Sequence, residues 1–359
     1  MWKGAICRLS LLFLLIAGCE VSGRGVQPEQ PPAEAGIERL VWPQPPAPAR
    51  IRYVRSIAEP RDLGIVKSFF GKLLAAIAGK RDEPLIRPTG VAERNGVVYI
   101  ADAGAQAVRI LDPANQRSIK VHEVNGTQLS LPVAVADRPD GSVFVADSGL
   151  KKVFLLDREG GYLRTVAEEG LERPAGLAYD EATDRLYVAD SAGQRIVVYA
   201  SDGSRLLVWG KRGSGDGEFN FPSYLALDRS GNLLVTDALN YRVQAFNREG
   251  KFLWKMGRHG DGSGDFAAPK GLGIDNEGHI YVVDALFDAV QIFDQDGVLL
   301  LSFGSRGTAR GEFWLPGGAF INRQDRIYVA DSYNQRIQVF EFLGGGGPPQ
   351  AQTSSNQGS

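Results

Sequence analysis

An alternating apolar run closed by an aspartate occurs six times in this 359-residue chain, at Asp102, Asp147, Asp190, Asp237, Asp284 and Asp331. The intervals are 45, 43, 47, 47 and 47 residues. A period of this length marks a repeat architecture, in which each unit buries its apolar faces only against its neighbours. A proline opens every unit: Pro88, Pro132, Pro174, Pro222, Pro269 and Pro316. The fourth unit reads YLALD, turn RSGN, LLVTD, turn ALNY, RVQAFN, turn REGK, FLWKMG. Four short runs of period-two alternation joined by Gly-, Asn- and Asp-rich turns predict a four-stranded antiparallel meander. Six meanders predict an all-β fold, a six-bladed β-propeller of four-stranded antiparallel blades.

The phrases LYVADSAGQRIVVY, LLVTDALNYRVQAFNREGKFL and IYVADSYNQRIQVFEF, with GSGDGEFNFP and GTARGEFWLP, resemble the NHL-repeat family of six-bladed propellers. The last unit stops after its third run, IQVFEF, and IRYVRSI at Ile51–Ile57 alternates like an outer strand. That segment is predicted to close the ring inside the last blade, leaving no loose terminal sheet.

The N-terminus is set apart from the repeats. Lys3 and Arg8 precede an apolar stretch from Leu9 to Ala17, too short for a membrane span and right for a secretory signal. It ends Ile16-Ala17-Gly18-Cys19, which resembles the lipobox of bacterial lipoproteins. The resemblance implies that residues 1–18 are removed and that Cys19 carries acyl chains, palmitate among them, as the membrane anchor. Glu20 in the next position points to the outer membrane, facing the periplasm. Residues 19–50 read as a Pro-rich linker, 51–343 as the propeller and 344–359 as a disordered tail. With Cys7 in the signal and Cys19 acylated, the folded part has neither thiol nor disulfide. A stretch outside the repeat, residues 63–80, places Ile65, Val66, Phe69, Phe70, Leu73, Leu74 and Ile77 on one helical face. It predicts a short helical insertion before blade one, packed on the propeller or on lipid.

Charge and chemistry narrow the function. A formal charge of −2, with no single-sign block, gives no field to attract nucleic acid. A monomer is expected. The six aspartates are expected to organise the turns that follow them, and Arg195, Arg242 and Arg336, five residues on from three of them, to brace neighbouring blades. Some related propellers are lyases with zinc held by three histidines, but His122, His259 and His279 fall on different parts of their blades and cannot converge. Lactonase-type propellers chelate a metal with channel carboxylates and amides, and the inner runs here supply few. The loop GKRGSGDGEF lacks the Lys-Ser or Lys-Thr and the following helix that cradle phosphate. No catalytic set, metal or cofactor is therefore expected.

The sequence points to a lipid-anchored cell-envelope protein that binds or scaffolds a protein, peptide or saccharide partner. The alternative is a metal-dependent hydrolase or lyase, lactonase-like, with its site in the channel. Positions where the repeats disagree suggest the partner surface: Trp314 stands where other units have Asn220 and Ala267, and Leu286 and Phe287 break a turn pattern. With Tyr224, Lys270 and Arg310 they define an expected aromatic and basic patch on blades four to six.

Overall fold

The computed structural model describes residues 40–66 and 83–344, in which six antiparallel sheets of four or five strands are arranged around an axis and a two-stranded ribbon, Glu123–Val124 with Thr127–Gln128, lies between blades 1 and 2 in the chain. Blade 1 runs from axis to rim through Pro88–Arg94, Val97–Asp102, Ala107–Asp112 and Arg117–Val121. Blades 2 to 5 repeat this order from inner strands Pro132–Asp137, Pro174–Asp180, Pro222–Leu227 and Pro269–Ile274. Inner strands of adjacent blades touch all the way round, the sixth against the first.

Blade 6 closes the ring as the sequence predicts. Its strands Ala319–Ile321, Arg326–Asp331 and Arg336–Phe342 are completed by Ile51–Ile57, with Ile51 opposite Phe342 and Ile57 opposite Ile337. Segments nearly 300 positions apart thus share one ladder, so no blade can peel away at a chain end. The sheet also has a fifth strand, Val41–Trp42, which falls within the stretch read as linker. The anchor is Trp42. Its ring packs 5.7 Å from Phe303 and 5.8 Å from Phe340, over Gly311, where a Cβ would come within 2.6 Å of it. Proline content announced a spacer; one half-buried aromatic draws its end onto the blade.

Of the expected helical insertion, residues 67–82 lie outside the described residues. Before them, Pro60–Leu63 forms a 3-10 turn ended by Gly64, whose φ of 74° suits glycine.

The core is six slabs, one between each pair of blades. In Arg185–Asp190, Leu186 and Val188 pack toward blade 2 while Tyr187 and Ala189 pack toward blade 4. Period-two alternation therefore sends apolar side chains into two different slabs. Phe219, Phe266 and Phe313 sit fully buried in the loops that lead into blades 4, 5 and 6. Their rings lie 5.6, 5.6 and 5.8 Å from Phe246, Phe293 and Phe340. Each such burial contributes about 2–3 kcal/mol and ties a loop to the blade it introduces.

Candidate functional site

The six aspartates end the second strand of each blade and are fully buried. Asp147 shows their work. Its Oδ1 accepts the amides of Gly149 and Leu150, both at 2.9 Å, in the following turn, and its carboxylate also accepts those of Ser130 and Leu131, at 2.8 and 3.0 Å, ahead of the inner strand. The carboxylate thus fastens the approach to its own blade as well as the turn. The arginines five positions on extend the brace. Arg242 donates to Asp237 at 2.8 Å and to the carbonyls of Ser214, Gly215 and Glu218 in the loop from blade 3. Arg336 does the same with Asp331, Ala309 and Glu312. Hydroxyls after the aspartates stitch blade to blade: Ser332 donates to the Pro88 carbonyl at 2.7 Å, and Ser148 and Ser191 reach Pro174 and Pro222. These polar groups are occupied by the fold.

These bonds join the aspartate turns to the interblade loops, which together form one face of the ring, the loop face. At this end the central channel is shut. The Gly318 amide donates to the Thr89 carbonyl and the Gly271 amide to that of Gly317, both at 3.0 Å, so the neighbouring blades 5, 6 and 1 are drawn together beside the axis. Glycine is required, because a Cβ on Gly318 would lie 2.5 Å from the Thr89 oxygen. Tyr224 fills the remaining gap with its hydroxyl 3.4 Å from the same carbonyl, and burial pushes its pKa up to about 12.

At the opposite face the channel is open. A cavity of about 680 Å³ runs inward from the turns between first and second strands. Its wall is made of Val91, Val135, Leu177, Leu225, Leu272 and Ile321 among smaller residues. Each inner strand has a sheet neighbour on one side only, so its free backbone edge adds amides and carbonyls to the lumen. The rim is a web of charge. Arg94 pairs with Asp137 and reaches Glu181 at 3.3 Å; Glu181 also pairs with Arg323; Asn322 donates to buried Glu93; Arg248 meets Asp180 at 2.9 Å. Burial pushes the Asp137 carboxyl up against the pull of Arg94. At Asp180 burial is outweighed by Arg248, Thr183 and the Ala182 amide, which hold the carboxyl below its ordinary range.

Sequence reasoning passed over this mouth as ordinary turns. The available signal was an acid or amide closing each inner run: Glu93, Asp137, Asp180, Asp228, Asp275 and Asn322. The expected patch is divided. Leu286, Arg310 and Trp314 are exposed on the loop face and Phe287 is half-buried beside Leu286. Tyr224 lies at the shut end of the channel rather than on the surface. Lys270 begins the neighbouring inner strand half-buried, its ammonium pKa lowered by burial and by Arg173. Cys19 lies outside the described residues. The histidines are engaged separately: His279 Nδ1 lies 2.8 Å from Asp275, the His259 ring stacks 4.2 Å from Tyr241, and the His122 carbonyl accepts the Leu129 amide at 2.9 Å. Among the described residues no group of three or more His, Cys, Asp or Glu is placed to hold a metal.

Residues 171–199 and 313–340 match the NHL repeat, and residues 228–298 match the family described as a 6-bladed β-propeller. A gluconolactonase of Zymomonas mobilis is 31% identical over 113 residues, covering 27% of this chain and 31% of that protein. The chain therefore spans about a third of that relative. Among solved structures, virginiamycin B lyase of Staphylococcus aureus aligns with a TM-score of 0.54 at 14% identity, covering 72% of this chain and 96% of the lyase. A chain of a nidogen/laminin complex aligns with a TM-score of 0.53 at 18% identity, covering 70% and 87%. At such identities the likeness concerns the fold. Repeat and ring together establish this chain as a six-bladed β-propeller, two of whose units match the NHL repeat.

Proposed function

We propose that this chain is a lipid-anchored binding protein of the cell envelope, tethered through Cys19, whose propeller holds a peptide, protein segment or saccharide at the open mouth of its channel. The observation that carries the reading is the one-ended channel. Its volume of about 680 Å³ suits a small ligand or a chain end, and its wall combines aliphatic side chains with the backbone groups of the inner strands' open edges. Peptides and sugars present the complementary mixture of hydrogen-bonding groups and modest apolar surface. The rim charges are held by one another, which favours a fixed receptor over a site that moves protons.

Two channel variants test this: Leu227→Trp, which fills the lumen, and Arg229→Glu at the rim. Crosslinked envelopes from cells expressing each are compared by affinity capture with the parent and with the loop-face variant Trp314→Ser. Capture that disappears in both channel variants at unchanged melting temperature, and persists in the control, is expected. Equal capture by parent and channel variants refutes the reading.

A lactonase-like activity is the second reading, favoured by the similarity to gluconolactonase. The carboxylates present do not fit a divalent ion, since Glu93, Asp137 and Asp180 are each engaged by Asn322, Arg94 or Arg248. Metal-dependent hydrolysis of a lactone panel, lost in Glu93→Gln, would favour it over binding.

A further inference from the structure

The channel mouth has two unlike halves. Five positions beyond each opening proline, the inner strands place Glu93, Asp137 and Tyr179 in blades 1 to 3 and Leu227, Ile274 and Ile321 in blades 4 to 6. Each pairs with the residue four before its blade's aspartate, so all six stand at one level. All six line the cavity, and the three aliphatic side chains remain partly exposed there. Leu225 and Leu272 carry the apolar half inward. On the polar half the Tyr179 ring is engaged, its hydroxyl donating to Asp184 at 2.7 Å and its centroid lying 5.4 Å from the Arg138 guanidinium.

The wall carries five carboxylates, Glu93, Asp137, Asp180, Glu181 and Asp228, against four guanidiniums, Arg94, Arg229, Arg248 and Arg323. Arg94 is shared between Asp137 and Glu181, Arg323 pairs with Glu181, and Arg248 pairs with Asp180. Asp228 is half-buried, bonded to Asn232 and next to Arg229 in the chain. Glu93 is the carboxylate left over. It is only 7% exposed, yet its donors are the neutral Gly96 amide and Asn322 side chain, and no cation pairs with it among the described residues. Each oxygen has accepted one donor and has capacity for a second. A buried carboxylate without a counter-ion is costly, so an incoming cation gains most at this residue.

From this we infer that the channel takes a peptide through an alkylammonium group, the lysine side chain or an amino terminus on an aliphatic residue, with the ammonium at Glu93 and the hydrocarbon against Leu227, Ile274 and Ile321. The inference rests on the reading of the channel as a ligand site. Asn322, which donates to Glu93, follows Ile321 in the chain, so the carboxylate adjoins the aliphatic half. An ammonium supplies both the missing donors and the missing charge. A neutral sugar supplies no cation, and a carboxylate ligand would add a sixth negative charge to the wall. Arg229, exposed across the mouth on blade 4, forms no ion pair among the described residues and is placed to meet peptide carbonyls. The peptide backbone also matches the open edges of the inner strands.

The test is calorimetric titration of the full chain carrying Cys19→Ala, which keeps it free of acyl chains, with four tetrapeptide amides: Leu-Ala-Ala-Ala, its acetylated form, its succinylated form, and acetyl-Ala-Lys-Ala-Ala. At least one of the two ammonium peptides should bind roughly tenfold or more tightly than the acetylated peptide without lysine, as one charged hydrogen bond is worth. A preference for Leu-Ala-Ala-Ala assigns the amino terminus, and a preference for the lysine peptide assigns the side chain. Leu227→Trp should abolish binding, and Glu93→Gln should erase the preference at retained melting temperature. Should Glu93→Gln lose its fold, the parent's preference and its loss in Leu227→Trp decide. The acetylated or succinylated peptide without lysine binding as tightly as the ammonium peptides, no binding of any of the four, or a preference that survives in folded Glu93→Gln overturns the inference. Envelope capture that Leu227→Trp still abolishes would leave the channel reading standing in each of these cases, so the two fail separately.

Discussion

Replacing Asp237 by asparagine should cost more than the same change at Asp331 or Asp190, and the burial of the partner arginine gives the order. Asp237 Oδ1 accepts the Asn220 amide at 2.7 Å, and Oδ2 accepts Asn240 at 2.8, Arg242 at 2.8 and Gln244 at 3.1 Å. Asparagine keeps one acceptor. Placed toward the three side-chain donors, it turns its own amine against the Asn220 amide, and one buried N–H loses its partner. The larger loss is charge. The Arg242 side chain is 7% exposed beside a fully buried carboxylate, and removing one member of such a pair costs about 3–5 kcal/mol. Three carbonyls still receive Arg242, so about 3 kcal/mol is the expected loss, some 6 °C in melting temperature at about 2 °C per kcal/mol for a domain this large. Arg336 is 13% exposed and Arg195 29%, so water compensates them progressively. About 2 kcal/mol is expected for Asp331→Asn and about 1 for Asp190→Asn. Circular dichroism melting of the three variants at neutral pH reads the order directly. Equal shifts, or a larger shift at Asp190 than at Asp237, would refute the claim that burial of the arginine sets the strength of the brace.

Three further outcomes are expected. Deleting Ile51–Ile57 leaves blade 6 with an exposed edge and without the buried Ile51 and Ile57, so the protein should aggregate or melt well below the parent; an unchanged melting temperature would contradict ring closure by this strand. Cys19→Ala should shift the protein from the membrane to the soluble fraction after cell lysis; full retention would place the anchor elsewhere. Because the folded-state pKa of Asp180 is depressed, its contribution is present above the unfolded value of about 4 and is lost as pH falls through the folded value. Asp180→Asn should therefore lower stability at pH 7 and flatten its decline on acidification, which urea melts at neutral and acid pH would detect; parallel pH profiles for variant and parent would contradict it.

Much of the fold was legible because its signals are local. Strand alternation, turn chemistry and aspartate spacing are each written within one unit, and six copies reinforced the reading, down to buried Phe219, Phe266 and Phe313. The missed strand at Val41–Trp42 marks the limit. Nothing within WPQPPAPAR says that Trp42 will find Phe303 and Phe340, residues that come together only when the ring closes. The expected patch failed at Tyr224 for a related reason: its hydroxyl bonds the Thr89 carbonyl 135 positions away, across an axis that a linear repeat does not display.

By itself the sequence determined the number of blades, the strand pattern, the place of each aspartate and the strand that closes the ring, since these follow from periodicity and from counting what the last unit lacks. Only the tertiary structure decided which end of the channel is open and which charged groups meet at its mouth. Antiparallel meanders return every turn of one kind to the same side, and closing six of them into a ring gathers those distant turns onto one face. The same closure sets Glu93 beside Asn322, separated by 229 positions, and Arg323 beside Glu181, separated by 142. Circular geometry makes neighbours of residues that share no local signal.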